Sequence, residues 1–294
     1  MMKEMRDRIV DDVRKTLDKE SDNANFADVF WSYRLFLLRR PEFQDPSSYA
    51  QRCVLDLREL AKSFCDSHEF QTIWGDRREP LPNVVLLTEN HGLRFWFNLR
   101  DQAIGHNIAI GRYEPDVTDV VRKTVKQGMN CLDVGANLGY FSVIMAKLTG
   151  ALGSVYSFEP FPANYDLLVR NIKENCVEGV VHPKQLAAYD SSNLSSLFFR
   201  ADAMNDNFGS MFVSDQPQDG HLQRSSVSRV RIDDVVPKNL PIHFVKMDVE
   251  GAEIPALGGM SGIIERYHPT LAIELNELAL NRGNGSTPEE LIGL

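Results

Sequence analysis

The sequence predicts an α/β protein in which a doubly wound, mostly parallel sheet follows a small helical domain. Two observations predict the sheet: short apolar runs alternate with helical patterns, and acidic residues repeatedly stand where those runs end. A third predicts the separate domain, because the N-terminal part carries only helical periodicity. We therefore divide the chain into a helical domain at residues 1–75, a linker at 76–83 and an α/β domain at 84–294.

The composition is that of an ordinary globular protein, with 43% hydrophobic and 25% charged residues in 294. The net charge of −9 argues against a general nucleic-acid-binding protein, which needs a basic face. The four cysteines are scattered without a C-x-x-C pair, so neither a zinc site nor a disulfide framework is expected. The sequence contains no run of 18 apolar residues and its N-terminus is too acidic for a signal peptide. We expect no membrane span and a cytoplasmic location.

The N-terminal domain is predicted from an apolar stripe that repeats at helical spacing and stops at Pro41. Tyr33–Pro41, followed by Ser67-His68-Glu69-Phe70, resembles a short helical domain that is often fused to bacterial surface-polysaccharide enzymes. The function of a small helical domain is usually packing, and a homo-oligomer formed through this domain is one expectation. The stripe consists of Phe26, Val29, Phe30, Tyr33 and Leu37.

Two short strands, Val84–Thr88 and Leu93–Asn98, flank a turn and predict a β-hairpin. Ile104–Gly111 is predicted to add another short strand, and a helix is predicted from about Val117 to Lys126. Glu114 stands just before that helix. It could reach a ligand at the strand ends, or serve only as a helix-start acid.

The α/β domain is organised around Asn130–Ser142, which is predicted to form a buried strand, a tight turn and a helix. Gly135 and Gly139 let the backbone approach a ligand, and the helix N-terminus offers free N–H groups. Asp133 at the turn would repel a pyrophosphate but could pair with an ammonium group. S-adenosylmethionine (SAM) carries an ammonium and no phosphate. We assign cofactor contacts here to Asp133, Gly135, Ala136, Asn137, Gly139, Phe141 and Ser142.

A second strand ends at Ser157-Phe158-Glu159-Pro160, about 26 residues after Asp133. A carboxylate at Glu159 can accept hydrogen bonds from both ribose hydroxyls, with Pro160 beside it. Two acids at successive strand ends suit the adenosyl cation of SAM better than NAD. A helix is predicted to follow, on the apolar face that includes Leu168 and Ile172.

A third strand is predicted at Val180–Leu186, with Asp190 just beyond it. Asp190 could bond the adenine amino group, although turn chemistry alone would also place an acid there. Ser195–Phe199 and Ser226–Arg231 are predicted strands that bracket a long polar stretch, Asp202–Gln223. Loops of this length are usually functional lids or disordered.

A fourth buried strand, Ile242–Asp248, leads into a turn that opens a helix, and a fifth is predicted at Thr270–Leu275. Ligands of parallel sheets lie beyond the carboxyl ends of the strands. Asp248 is the first candidate for a general base that takes a proton from a hydroxyl acceptor, with Glu250 and Glu253 beside it. Paired acids could instead hold a divalent cation, for which no ligand set is assigned. The acids at this rim are Asp133, Glu159, Asp190, Asp248 and Glu274.

Three motifs together resemble the FkbM family of SAM-dependent methyltransferases: Asp133–Gly139, Phe158–Pro162 with Asn171, and Lys246–Glu253. The resemblance covers residues 84–292 and implies a class I methyltransferase fold. It also implies O-methyl transfer from SAM, typically to a hydroxyl of a sugar or natural product. Tyr113-Glu114-Pro115 fits the same pattern.

Class I methyltransferases usually end in a helix and an antiparallel strand pair, and this sequence stops at Leu294 without them. The chain is therefore expected either to be truncated or to have another segment covering its fifth strand. Two rival functions remain: a non-catalytic SAM-binding or scaffold protein, and an NAD-dependent oxidoreductase. An NAD-dependent oxidoreductase would need a third glycine after the turn and a non-acidic residue in place of Asp133. The sequence does not name the methyl acceptor.

Overall fold

Strands and helices alternate through most of the chain from Val85 onward. The computed structural model describes residues 85–90, 92–98, 101, 103–109, 111–200, 212–214 and 222–293, which all fall in one unit, Leu81–Leu294. The predicted helical domain and linker lie outside the described residues. The strands are β1 Val85–Asn90, β2 Leu93–Asn98, β3 Asn130–Val134, β4 Ser154–Phe158, β5 Val181–Lys184, β6 Ala187–Ala188, β7 Leu194–Arg200, β8 Phe212–Ser214, β9 Leu222–Val230, β10 Phe244–Met247 and β11 Thr270–Ile273.

The helices separate these strands as the alternating pattern predicts. A single 3₁₀ turn, Gly150–Leu152, follows the third of them. The α-helices are α1 Gly105–Ala109, α2 Pro115–Thr124, α3 Tyr140–Thr149, α4 Pro162–Glu174, α5 Ile232–Val235, α6 Glu253–Gly258, α7 Ser261–Tyr267, α8 Glu277–Asn284 and α9 Pro288–Ile292.

The central sheet has five parallel strands in the order β11-β10-β3-β4-β5, which confirms the predicted doubly wound fold. The chain starts in the middle, at β3, runs outward through β4 and β5, and then returns to β10 and β11 on the other side. The carboxyl ends of β3, β4 and β10 are therefore neighbours at the point where the strand order reverses. Ligands of open α/β sheets bind at such a point.

The core is built from the strands' continuous apolar runs, as expected for a sheet covered on both faces. Leu132, Val134, Phe158, Val245 and Met247 are all at most 1% exposed. Side chains from α6 and α7, including Ala256, Met260 and Ile263, pack against the same cluster. This packing fixes the strand ends, and with them the backbone that carries the acidic residues.

The N-terminal hairpin of β1 and β2 is present as predicted, and β2 is fastened to α4 by two asparagines. The Asn171 side chain accepts from the backbone N–H of Trp96 at 2.6 Å and donates to the backbone oxygens of Trp96 and Leu138. Asn175 makes the equivalent pair of bonds with Arg94. Since Leu138 belongs to the turn after β3, Asn171 ties the hairpin to that turn.

The segment predicted as a strand at Ile104–Gly111 is instead the short helix α1, so that prediction was wrong. Ile104, Gly105 and Ile108 are buried whereas His106 is not, and buried residues at i, i+1 and i+4 fit a helix rather than an alternating strand. Gly105 packs so closely on the Phe97 ring that an added Cβ would lie 2.2 Å from it. A turn of helix fits against the hairpin where an extended strand would not.

The predicted lid is also shorter than expected, because β9 begins at Leu222 and β8 occupies Phe212–Ser214. These strands join β6 and β7 in a second sheet of order β6-β9-β7-β8. The rest of the lid, residues 201–211 and 215–221, lies outside the described residues. In the part of the chain that the structure describes, no helix combines the length and the apolarity needed to cross a membrane.

Candidate active site

A cavity opens where the carboxyl ends of β3, β4 and β10 meet. Its empty volume is about 1160 Å³, a figure that includes space open to solvent. The lining comes from the turns after these strands, from the segment before α2 and from the end of β11. Its members are Ala103, Ile104, Tyr113, Glu114, Gly135, Ala136, Asn137, Leu138, Tyr140, Phe141, Phe158, Glu159, Pro160, Asn164, Leu186, Ala187, Ala188, Leu197, Lys246, Asp248, Val249, Glu250, Ala252 and Glu274.

The turn after β3 is held against its neighbours by backbone bonds. Gly135 and Ala136 donate their N–H groups to the Phe158 oxygen at 3.0 and 2.9 Å. Gly135 has a φ of +82°, and a Cβ built on it would lie 1.7 Å from the backbone oxygen of Asp248. Glycine is therefore required here because the turn after β10 passes directly over it. Gly139 plays a packing role instead, since an added Cβ would meet the Leu168 side chain at 2.6 Å.

Glu159 follows β4 and presents a carboxylate at the cavity wall although only 5% of the residue is exposed. Its two oxygens accept from the backbone N–H groups of Asn137 and Phe161, each at 2.8 Å. Burial raises the pKa of Glu159 to about 7, although these two N–H bonds oppose the shift. The carboxylate is thus fixed in position, while each oxygen keeps a further lone pair for a ligand hydroxyl.

Lys246 is a charged residue in an otherwise apolar strand, and it is only 5% exposed. Its Nζ donates to Asp248 Oδ2 at 3.1 Å and lies 5.0 Å from the centre of the Phe141 ring. Burial alone would lower the pKa of Lys246, but the neighbouring carboxylates of Asp248 and Asp133 outweigh it, so the pKa is raised. The ammonium group therefore stays charged inside the cavity wall.

Asp133 was predicted to face the ligand, and here the structure differs. Strand β3 continues past it to Val134, in register with β10, and the Asp133 side chain is buried against α3. It is fully buried, accepts a hydrogen bond from Ser142 Oγ, and does not line the cavity. Ser142 was predicted as a contact too, and it bonds Ser157 at 2.8 Å instead. Both residues lie behind the cavity wall. The Asp133 carboxylate helps to keep Lys246 charged, and Ser142 holds that carboxylate by a hydrogen bond.

The acids after β10 divide into two groups. Asp248 and Glu250 line the cavity, whereas Glu253 does not. Glu253 is 2% exposed and its Oε1 accepts the backbone N–H groups of Val249 and Gly251, at 3.2 and 3.3 Å. It closes the turn that opens α6 and has no access to an acceptor, which corrects its assignment as a catalytic candidate.

Glu274 completes the acidic side of the cavity from the end of β11, and its side chain hydrogen-bonds that of Asp248. One carboxylate oxygen each from Asp248, Glu250 and Glu274 lies within 4.8 Å of the others. That spacing would suit a divalent cation, but the Lys246 ammonium already neutralises part of this charge. We assign no metal here.

Asp190 also departs from prediction, since β5 ends early and the chain crosses into β6 of the second sheet. Asp190 is exposed, its backbone oxygen accepts from Arg231 at 3.0 Å, and it does not line the cavity. Leu186, Ala187 and Ala188 line that part of the wall instead.

Three non-glycine residues in the cavity wall have positive φ: Glu114 at 39°, Asn137 at 49° and Glu250 at 50°. Such conformations cost L residues free energy and tend to persist at functional sites, where the surrounding structure enforces them. Glu114 stands directly before α2, Asn137 lies in the turn after β3, and Glu250 lies in the turn before α6. Three of the five such residues among those described line this cavity, which favours it as the candidate functional site.

Tyr113, Tyr140 and Lys246 were not assigned as site residues from the sequence, although all three line the cavity. Tyr113 and Tyr140 pack ring against ring, 5.2 Å between centroids. The sequence did carry a signal for the lysine, since a charged residue inside an apolar strand is rarely buried without a partner. Tyr113 carried none beyond the Glu114-Pro115 that follow it, and Tyr140 carried none beyond its place after Gly139.

Comparison with known protein families finds a match to the α/β part of the chain. The methyltransferase FkbM domain matches residues 133–292, more than half of the chain. A protein-L-isoaspartate O-methyltransferase from Methanothrix thermoacetophila is 39% identical over 49 residues, which are 17% of this chain and 23% of that protein. The chain thus spans about a quarter of the length of this curated relative.

Solved structures of methyltransferases match parts of this chain at low identity. An rRNA methylase from Streptococcus thermophilus is 14% identical, with a TM-score of 0.37, over 61% of this chain and 78% of that one. TYW2 from M. jannaschii, solved in complex with AdoMet, is 20% identical, with a TM-score of 0.29, over 35% and 43%. We infer no acceptor from either protein.

Proposed function

This chain belongs to the FkbM methyltransferase family, and we propose that it transfers a methyl group from SAM to a hydroxyl group of a sugar or natural product. The observation that carries the proposal is the pairing of two features in one cavity. The first is Glu159 after β4, whose carboxylate is held in place and can accept hydrogen bonds from two neighbouring hydroxyl groups. The second is the cluster of carboxylates that follows β10. The two strands flank β3, so they stand roughly 10 Å apart, which leaves room for a cofactor between them.

The residues present fit SAM. Glu159 would accept hydrogen bonds from the ribose hydroxyls, and the turn at Gly135 and Ala136 also lines the cavity. The wall between them carries Asn137 and Pro160, with Phe141 on the far side of the turn. The acidic lining suits a ligand with a net positive charge. When bound, SAM supplies an electrophilic methyl group on a sulfonium.

The protein's own residues then have two tasks. They must hold an acceptor oxygen in line with the methyl group, because positioning alone can supply several kcal/mol of the barrier reduction. They must also take the proton that the hydroxyl loses as it attacks. Asp248, Glu250 and Glu274 offer carboxylates for that proton, and Lys246 holds Asp248 in place.

The charge of the cavity also bears on the acceptor. Among the described residues, five carboxylates line it against a single lysine, which is already paired with Asp248. A phosphorylated or carboxylated acceptor would be repelled, and so would a nucleic-acid backbone. A neutral polyhydroxylated molecule meets hydrogen-bond acceptors instead. This supports a sugar or a comparable natural product.

The test is transfer of a labelled methyl group. The full chain is incubated with methyl-deuterated SAM and a mixed extract of bacterial glycans and natural products, and products are analysed by mass spectrometry. We expect a methyl ether on a hydroxyl. Glu159→Gln should reduce transfer at low SAM concentration, while the exposed control Glu178→Gln should not. Methylation confined to nitrogen, carboxyl or nucleic-acid positions would contradict the proposal, as would binding of SAM with no product.

A further inference from the structure

We propose that Glu274, and not Asp248, receives the proton of the acceptor hydroxyl, and that Asp248 and Lys246 position it. This inference rests on the proposed methyl transfer to a hydroxyl. It follows from where the three side chains lie relative to one another: Lys246 donates to Asp248 at 3.1 Å, and Asp248 is hydrogen-bonded in turn to Glu274 at the mouth of the cavity. The three form a chain that runs from the buried sheet to the acceptor side.

Asp248 is poorly suited to be the base because its negative charge is already paired with the Lys246 ammonium. The Lys246 ammonium lies against Oδ2, and only 6% of the lysine side chain is exposed, so solvent does little to weaken the pair. Burial would raise the pKa of Asp248, but Lys246 and the hydrogen bond from Glu274 outweigh it and lower the pKa. A carboxylate with a lowered pKa is ionised but has little affinity for a proton.

Glu274 is in the opposite situation. Its backbone N–H is fixed by the Met247 oxygen at 3.0 Å, so the side chain starts from a defined place at the end of β11. It faces the carboxylates of Asp248 and Glu250, while the Lys246 ammonium is paired with Asp248. The pKa of Glu274 is raised to about 8. Partial burial is the largest cause, the charge and hydrogen bond of Asp248 come next, and the charge of Glu250 contributes less. General bases work best with a pKa near the operating pH.

The groups that face Glu274 come from two neighbouring elements. Lys246 and Asp248 belong to β10 and its end, and Glu250 belongs to the turn before α6. Lys246 opposes the shift, but it is the smallest of these influences. At neutral pH Glu274 therefore carries a proton that it donates to Asp248, and it becomes a free base as the pH rises through about 8.

The transfer step balances with Glu274 ionised. The acceptor oxygen forms a bond to the methyl carbon, and the carbon–sulfur bond breaks with its electron pair left on sulfur. The acceptor's O–H bond breaks and its proton moves to a Glu274 carboxylate oxygen. The products are a methyl ether, a neutral thioether and a protonated Glu274, which returns its proton to solvent at the open mouth of the cavity.

The test compares pH–rate profiles of methyl transfer to the same extract, with labelled SAM at saturating concentration. For the wild type we expect the rate to rise about tenfold per pH unit below pH 8 and to level off above it. Glu274→Gln keeps an N–H donor for Asp248 but cannot take a proton. It should lose about 10²–10⁴-fold in rate and lose the rising limb. The exposed control Glu265→Gln should keep the wild-type profile.

Two further readouts separate a base from a structural residue. Calorimetry should show that Glu274→Gln binds SAM as the wild type does. In protein labelled with ¹³C at glutamate carboxyls, one resonance should titrate near pH 8, and it should vanish in Glu274→Gln. It should move to lower pH in Asp248→Asn, because a repelling charge is gone.

Transfer by Glu274→Gln at the wild-type rate and profile would overturn the assignment while leaving methyl transfer intact. A wild type that binds SAM and yields no methyl ether would overturn the proposed function itself. A glutamate spectrum with no resonance titrating near pH 8 would also count against Glu274, whichever way the activity assay falls.

Discussion

Glu159 shows how a single side chain can be made ready for a ligand by its surroundings. Two backbone N–H groups fix its oxygens, and burial leaves its pKa at about 7 instead of the usual range near 4. Ribose hydroxyls that donate to the carboxylate favour its ionised form, so binding SAM should lower this pKa. Below pH 7 the residue is protonated before the ligand arrives, and that proton has to be displaced.

SAM affinity should therefore weaken by up to about tenfold for each pH unit below pH 7, and should be constant above pH 7. Titration calorimetry between pH 5.5 and 8.5 measures this directly. Glu159→Gln should bind at least about tenfold more weakly at pH 8, since charge-assisted bonds are worth roughly 1.5–3 kcal/mol each, and should lose the pH dependence. The affinity of the Glu178→Gln control should follow the wild type. A Glu159→Gln protein with unchanged affinity at pH 8 would show that the carboxylate serves the turn alone.

At the same scale, the sequence predicted the kinds of residue in the site better than their contacts. Glu159 and Asp248 were placed at strand ends, and both line the cavity. Asp133 was placed there too, but β3 continues to Val134, and the Asp133 side chain is buried against Ser142 of α3. The proximity of Asp133 to Lys246 could not be found from sequence, because it depends on β3 and β10 becoming neighbours.

Among the secondary-structure elements, the hairpin β1–β2 depends on α4 through a few buried bonds. Asn171 is fully buried and meets two backbone groups of Trp96 and one of Leu138. Asn171→Ala would leave these groups unpaired in the interior, at about 1–3 kcal/mol each when uncompensated. We expect the free energy of unfolding to fall by roughly 2–4 kcal/mol, measured by urea denaturation.

The exposed Asn239 provides the matched control, and Asn239→Ala should change stability by less than about 0.5 kcal/mol. If Asn171→Ala unfolds at the same urea concentration as the wild type, the hairpin is held by its apolar contacts and not by this side chain. The family resemblance drew attention to Asn171, but its role in joining the hairpin to the turn after β3 is visible only in the fold.

Elements were predicted well where the apolar pattern is long and poorly where it is short. The strands and helices from β3 to α4 follow their predicted positions to within a few residues. The five-residue helix α1 and the three-residue strand β8 were missed, because so few residues establish no period. Tertiary packing decides such segments, as the contact between Gly105 and Phe97 illustrates.

In the molecule as a whole, the order of the strands creates the site. A sheet that starts at β3 and winds outward on both sides leaves a gap above β3, with Glu159 on one flank and the acids after β10 and β11 on the other. The alternation of elements predicted the parallel sheet, and the acids predicted its functional edge. The crossing into a second sheet at β6 was not predictable, and it explains why Asp190 lies away from the cavity.

The central claim is that this cavity binds SAM, and titration calorimetry on the full chain at pH 8 tests it most directly. SAM and S-adenosylhomocysteine are each titrated, with NADH as the rival nucleotide under the same conditions. We predict micromolar dissociation constants for SAM and S-adenosylhomocysteine, corresponding to roughly −8 kcal/mol, and no saturable binding of NADH. Saturable binding of NADH without binding of SAM would contradict the account.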